Sequence, residues 1–336
     1  MPGAVVRTAG PQDLEALHTL ASAAGRGMTN LPARRETLAA LLAGSAAGFT
    51  DPKAMGHDQL LLVLEVEGEV AGTACIFPSV GGDWPFYSYR IGRLRQTSQA
   101  LAKTVENTIL TPVNDYDGSA EVGGLFVRPG LRGVAAGRLM ARSRYLFMAG
   151  HRDWFGDRVV SELRGYQDED GRSPFWEAVG QRFYGLEFCE ADRISVGAGK
   201  QVIADLSPKY PIYLNLLPAE AVASVGRCHP DGERARALLV EEGFRFEGCI
   251  DIFDAGPTMV ADIDGLKAVR DNRLSTVIEI GTRDDSFEVL ASNGTAADFR
   301  AARGRLTLHG EGVTISPHLA GALQLQVGGS IRHVAF

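Results

Sequence analysis

The chain has 336 residues, with 41 acidic against 34 basic side chains and a net charge of −7. This length leaves room for more than one domain, and the acidic balance excludes nucleic acid as a bulk partner. No apolar run is long enough to suggest a membrane span, the start MPGAVVRTAG lacks a secretion-signal layout, and Cys75, Cys189, Cys228 and Cys249 show no C-x-x-C spacing, which together point to a cytoplasmic protein with reduced thiols and no zinc site.

Ala4 to Thr8 reads as a short strand, and Pro11-Gln12-Asp13 opens a helix carrying Leu14, Leu17, Leu20 and Ala21. Gly25 to Pro32 is a loop, and Arg34 to Leu42 a second helix. Gln59 to Val66 and Glu69 to Phe77 flank Glu67-Gly68 as an antiparallel hairpin. Trp84 to Arg95 is an aromatic and basic cluster whose aromatics are expected in the core. Glu121 to Val127 supplies the β-branched and apolar residues of a strand, and Arg128-Pro129-Gly130 stops it. From Val134 a helix places Ala136, Leu139, Met140, Ser143 and Phe147 on one face, with Arg138, Arg142 and Arg144 off it.

Beyond that helix, Arg158 to Arg164 is a strand, and Ser173-Pro174 caps a helix through Phe175, Trp176, Val179 and Phe183. Lys200 to Asp205 reads as a strand and Leu217 to Gly226 as a helix. Pro230-Asp231 starts a further helix that ends at Gly243, followed by a strand from Phe244 to Phe253. Past residue 274, short strands alternate with Gly and Asn turns, predicting a small β-barrel or β-sheet appendage.

Between the strand at 121–127 and its helix lies Arg132-Gly133-Val134-Ala135-Ala136-Gly137. The first amides of a helix lack intrahelical partners and the dipole is positive there, so the turn suits an anion such as a pyrophosphate. It is neither a Walker turn, which needs Gly-Lys-Ser/Thr, nor a G-x-G-x-x-G dinucleotide turn. Arg-x-x-Gly/Ala-x-Gly after a strand resembles the acyl-CoA turn of the GNAT N-acyltransferases; close packing of a helix on a sheet produces the same small residues.

Longer stretches are more specific. GMTNLPA (27–33), YSYRIG (87–92), GSAEVGGLFVRPGLR (118–132), SRYLFMAGHRDWFGDRVVSELRG (143–165), SPFWEAVGQRFYGLEF (173–188), PKYPIY (208–213), HPDGERARALLVEEGF (229–244) and IDIFDAGPT (250–258) resemble the arginine N-succinyltransferase family. The resemblance implies an α/β (α+β) GNAT-like fold over residues 1–270, with 271–336 as the β-rich appendage. It also implies transfer of succinyl from succinyl-CoA to the α-amino group of L-arginine, without a metal, by a homo-oligomer or a hetero-oligomer with a homologous subunit. Two other readings stay open: an acyl-CoA N-acyltransferase acting on ornithine or another amine, and a non-catalytic partner subunit that binds CoA or an amino acid.

An amine attacking a thioester must lose a proton, its tetrahedral intermediate needs hydrogen-bond donors, and the leaving thiolate benefits from an acid. His229, in a His-Pro context before a helix, is the proton donor that the resemblance implies; on the residues alone it is more often a surface helix cap. Glu121 is either a base or substrate anchor, or a strand-end partner in a salt bridge. It shares a strand face with Leu125 and Val127 unless Gly123-Gly124 forms a bulge. The CoA-binding positions implied are Leu125 and Val127 on the strand, and Arg132, Gly133 and Gly137 at the turn; Leu125 is also read as a core residue, and Arg132 alternatively as a surface one. Cys228 beside His229 invites a Cys-His nucleophile, but chain neighbours rarely face each other productively. Arg90, Arg164, Glu162, Asp251 and Asp254 are expected to serve either the charged ends of the substrates or structural ion pairs.

Overall fold

The computed structural model describes residues 3–24, 31–51, 59–82, 84–131, 134–188, 190–191 and 206–336. In chain order the strands are β1 (Ala4–Thr8), β2 (Leu60–Val66), β3 (Glu69–Phe77), β4 (Ser88–Ser98), β5 (Lys103–Val113), β6 (Ala120–Val127), β7 (Arg158–Glu162) and β8 (Ile212–Tyr213). They continue as β9 (Arg245–Asp251), β10 (Pro257–Asp262), β11 (Arg273–Ile280), β12 (Phe287–Ser292), β13 (Arg300–His309), β14 (Gly312–Ile315) and β15 (Ser330–Ala335). The helices are α1 (Leu14–Ala24), α2 (Arg35–Thr50), α3 (Val134–Gly150), α4 (Pro174–Ala178), α5 (Gly180–Tyr184), α6 (Ala219–Ser224), α7 (Glu233–Glu242), α8 (Lys267–Arg270) and α9 (Pro317–Leu323). The mixed α/β class with a β-rich C-terminal part is the one expected. No helix among the described residues is long and apolar enough to cross a membrane.

By packing, the chain forms two compact units. One comprises Met1–Ser79, Ser119–Val159 and Ala261–Phe336; the other comprises Val80–Gly118 and Val160–Val260.

In the first unit β1, β2, β3 and β6 pair antiparallel in that order. The β2–β3 turn has both central residues at positive φ, Glu67 at 53° and Gly68 at 84°. That geometry matches the twist of the strands it joins, which is why Glu-Gly suffices to fix the hairpin. Beneath the strands Leu17, Leu20, Leu38, Leu42, Leu61, Val63 and Phe126 form one apolar cluster with α1 and α2. The tail is a barrel: β12, β15, β11, β14 and β13 are neighbours in that order, and β12 pairs with β13 to close it. Closure leaves no free edge on the ring. Val277, Val289, Leu306, Val313, Ile315 and Ile331 fill it, and α9, capped by Ser316, covers one side. β13 also pairs with β1, Val5 opposite Ala302, so the barrel is hydrogen-bonded to the first strand of the chain.

In the second unit β4 and β5 form a long hairpin in full register from Ser88↔Val113 to Ser98↔Lys103. β9 pairs with β4, β10 with β9, and β8 with β5. Its core holds Tyr89, Leu110, Phe175, Val179, Leu214 and Ile250. Phe86 and Tyr89 are buried as expected, whereas Trp84 is exposed. The expected helix after Ser173-Pro174 breaks at Val179, where φ is −120° and ψ −74°, into α4 and α5. Phe183 consequently leaves the buried face and is exposed. The strand expected at 200–205 lies outside the described residues.

Candidate active site

His229 sits in the second unit, at the start of a 3-10 turn that leads into α7. Pro230 fixes the first helical φ of that turn and needs no donor there. The Nδ1 atom of His229 accepts the amide of Asp231 at 3.1 Å, so the neutral ring carries its proton on Nε2. Nε2 has no hydrogen-bond partner among the described residues. The imidazole is partly buried, and burial together with the charge of Arg164 lowers its pKa, against a smaller pull upward from Asp231.

The backbone around His229 is held by a short antiparallel pairing. Gly165 bridges Cys228, the His229 amide donates to the Arg164 carbonyl at 2.8 Å, and the Tyr166 amide donates to the Arg227 carbonyl at 3.0 Å. Behind this pair lies the loop from Asp251 to Gly256. Asp254 accepts the Gly165 amide at 2.7 Å and the Gly256 amide at 2.9 Å, and Asp251 accepts the amides of Phe253 and Asp254. Asp254 is buried, and burial followed by the neighbouring Asp251 charge pushes its pKa up to about 8. A Cβ added at Gly165 would lie 2.1 Å from the Asp254 carbonyl oxygen, so only glycine permits this approach. These two aspartates serve backbone amides and each other; among the described residues neither is engaged as a partner for a guanidinium.

The strand and helix expected to bind CoA lie in the first unit. Phe77, Cys75 and Thr73 on β3 oppose Glu121, Gly123 and Phe126 on β6, so β6 carries one extra residue between the last two. This is the bulge that Gly123-Gly124 allowed for, with Gly124 at φ +56°. It changes parity: directly opposed residues share a face, so Glu121 lies on the face of Phe126, and Val127 on the other. Leu125 sits within the bulge, half-buried. Gly137 stands in the first turn of α3, where an added Cβ would meet no described atom within 4 Å. Arg132 and Gly133 lie outside the described residues.

The reading of α3 needs one correction. Arg144 was expected off its buried face, but its side chain is 4% exposed. The second half of α3 is covered on more than one side, with Tyr145, Leu146, Phe147 and Met148 all buried as well. The Arg144 guanidinium donates to the carbonyls of Gly123 at 3.3 Å and Ala141 at 3.4 Å. Through the first of these bonds it reaches the bulged strand. Periodicity missed it because an arginine is placed outside by default.

Thus Glu121, Leu125, Val127 and Gly137 belong to one unit and His229 to the other. Arg90 is taken up by Asp115 in an ion pair at 2.6 Å. Glu162 ends β7 and is half-buried. The Cys228 thiol is buried and donates to Glu233 at 3.2 Å, and burial pushes its pKa up to about 11, which is the reverse of an activated nucleophile. Gly165 was not singled out from the sequence; a glycine after a strand gives no sign of what packs on it.

The geometry therefore offers a neutral imidazole whose Nε2–H meets no partner among the described residues in one unit, and a bulged strand that precedes α3 in the other. Comparison with known proteins agrees with the motifs. The family model described as arginine N-succinyltransferase beta subunit matches residues 4–268, and that of its C-terminal domain matches residues 273–335. The chain is 38% identical over 339 residues to an arginine N-succinyltransferase subunit beta of Pseudomonas aeruginosa, covering 98% of this chain and 97% of the relative. It is 39% identical over 335 residues to an arginine N-succinyltransferase of Salmonella schwarzengrund, with the same two coverages. Among solved structures, the arginine/ornithine succinyltransferase subunit AI from Pseudomonas aeruginosa superposes with a TM-score of 0.89 at 34% identity, over 100% of this chain and 99% of that one. Matched from the first strand to the last by sequence and by fold, the chain belongs to the arginine N-succinyltransferase family.

Proposed function

We propose that the protein transfers the succinyl group of succinyl-CoA to the α-amino group of L-arginine, with His229 as proton donor to the leaving thiolate. The observation that carries the role of His229 is an Nε2–H without a partner among the described residues, beside an Nδ1 already engaged by Asp231. The amine attacks the thioester carbonyl, the C–N bond forms and the C–S bond breaks. The Nε2 proton passes to the CoA sulfur. The proton released by the amine replaces it on Nε2, so the ring ends neutral with Nδ1 still accepting the Asp231 amide.

Glu121 serves as base or substrate anchor in this proposal. Leu125, opened from the ladder by the bulge, and Val127 contact the pantetheine arm, while Arg132, Gly133 and Gly137 at the start of α3 receive the diphosphate. Residues 1–270 carry the transferase chemistry and 271–336 the β-rich appendage. The protein works in the cytoplasm, as an oligomer of its own chain or with a homologous subunit, and the chemistry needs no metal. The solved relative is described as acting on ornithine as well as arginine, which makes ornithine the second acceptor to test.

The test is thiol release from succinyl-CoA on adding arginine or ornithine, repeated with acetyl-CoA. His229→Ala is expected to lower kcat by about 10²–10⁴-fold, the range for losing a positioned acid or base. Unchanged turnover in that variant removes His229 from the mechanism. Release with acetyl-CoA but not with succinyl-CoA removes the donor assignment.

A further inference from the structure

The Gly165–Cys228 bridge fixes more than the backbone of His229. In an antiparallel pair directly opposed residues share a face, and so do residues two apart on one strand. Arg164 therefore stands opposite His229, Tyr166 opposite Arg227, and these four side chains lie on one face of the pair. Burial agrees: Gly165 and Cys228 point to the buried side, Tyr166 and His229 are half-buried, and Arg164 and Arg227 are exposed.

Both guanidinium groups are held without being neutralised. Arg164 donates to the side-chain oxygen of Gln167, which is itself buried. Arg227 lies over the Tyr166 ring, 4.1 Å from its centroid. Neither makes an ion pair among the described residues, whereas Arg90, Arg172 and Arg245 of the same unit each hold a carboxylate. Amide and aromatic supports orient a guanidinium while leaving its charge and some of its five donors available. Two such groups beside the candidate proton donor present a fork for an anion, and planar bidentate recognition by arginine is suited to carboxylates. Of the acidic groups close by in space or sequence, Asp231 lies 3.7 Å from Nδ1 of His229, and Glu162 precedes Arg164 by two residues.

We propose that Arg164 and Arg227 form a carboxylate-binding subsite beside His229, which holds a substrate by its carboxylate while the amine and thioester react. The proposal rests on the transferase reading above. Two carboxylates fit that chemistry: the α-carboxylate of the acceptor amino acid, two bonds from the attacking nitrogen, and the free carboxylate of the succinyl group, three bonds from the reacting carbonyl carbon.

The experiment compares wild type with Arg164→Gln, Arg227→Gln and the double variant, after circular dichroism shows each to be folded. Thiol release is followed with arginine against agmatine, its decarboxylated form, and with succinyl-CoA against acetyl-CoA. If the subsite takes the α-carboxylate, the double variant raises KM for arginine by about 10–100-fold, the scale of losing charge-assisted hydrogen bonds, and erases the preference for arginine over agmatine. If it takes the succinyl carboxylate, the rise falls on succinyl-CoA, and the preference over acetyl-CoA is lost instead. Both preferences and both KM values within about twofold of wild type, less than one such bond is worth, overturn the subsite. A binding readout separates its failure from that of the transferase reading: succinate is titrated while the His229 imidazole is followed by NMR, assigned by its absence in His229→Ala. Should wild type show no thiol release, the transferase reading falls. The subsite then stands if succinate shifts the His229 signal in wild type but not in the double variant, and falls if it does not.

Discussion

The Asp254→Asn substitution tests how the strand pair under His229 is held. In the wild type both carboxyl oxygens of Asp254 are in use, Oδ2 for the Gly165 amide and Oδ1 for the Gly256 amide. An asparagine has one acceptor oxygen, so one of those buried N–H groups must face an NH2 group instead. Leaving a buried donor unsatisfied costs about 1–3 kcal/mol. The same substitution removes a titration. Burial and then Asp251 lift Asp254 to about 8, so between the unfolded carboxylate range near about 4 and about 8 the folded protein keeps a proton that the unfolded chain has released. Because the unfolded state binds fewer protons there, this carboxyl makes wild-type stability fall as pH rises through that window, and the loss is complete above it. Asparagine contributes no such fall. Urea unfolding from about pH 5 to pH 9, which brackets the titration, is therefore expected to show the variant less stable by about 1–3 kcal/mol at the acid end. The difference should narrow towards the alkaline end, and the fluorescence of buried Trp176 reports on the unit concerned. A difference that stays constant across this range, or a variant as stable as wild type at its acid end, refutes the reasoning.

Gly165→Ala is expected to cost about 1–3 kcal/mol by overpacking, since its Cβ would meet the Asp254 backbone oxygen at 2.1 Å and backbone must move to admit it; urea unfolding at wild-type midpoint contradicts this. Burial pushes the thiols of Cys75 to about 12 and Cys228 to about 11, and also raises Cys249. In the native protein these three should resist a thiol reagent such as DTNB at mildly alkaline pH and react only after denaturation, and prompt labelling of Cys228 would contradict its placement. An NMR titration of His229 should give a midpoint below the ordinary imidazole value, because burial and the Arg164 charge both disfavour the cation. The midpoint should rise in Arg164→Gln, and a midpoint unmoved by that change shows the two side chains to be uncoupled.

Much of the fold was legible because its signals are local. The β-branched run ending at Pro129-Gly130 and the periodic stretch after Val134 gave β6 and α3, the latter with its start at Val134. Glu67-Gly68 gave the β2–β3 hairpin, and Gly243 at φ 125° gave the end of α7. The β4–β5 hairpin was missed: 84–95 was read only as an aromatic and basic cluster, and the far half of the hairpin, RLRQTS against KTVENT, is polar and largely exposed and carries no apolar alternation. The bulge was visible as a choice between two parities, and only its pairing with β3 decided that Glu121 and Val127 part company.

The amino-acid sequence by itself determined the family, the residue types needed for acyl transfer to an amine, and the short-range elements that display them, because each of these is written within a turn or two of chain. Tertiary structure decided what depends on residues far apart in that chain. It set Gly165 against Asp254, 89 positions away, closed the tail into a barrel and tied it to β1. It buried Arg144, and it left Arg164 and Arg227 flanking one imidazole without carboxylates among the described residues. Hydrogen bonds and burial at such separations are chosen by packing of the whole chain, and no local pattern encodes them.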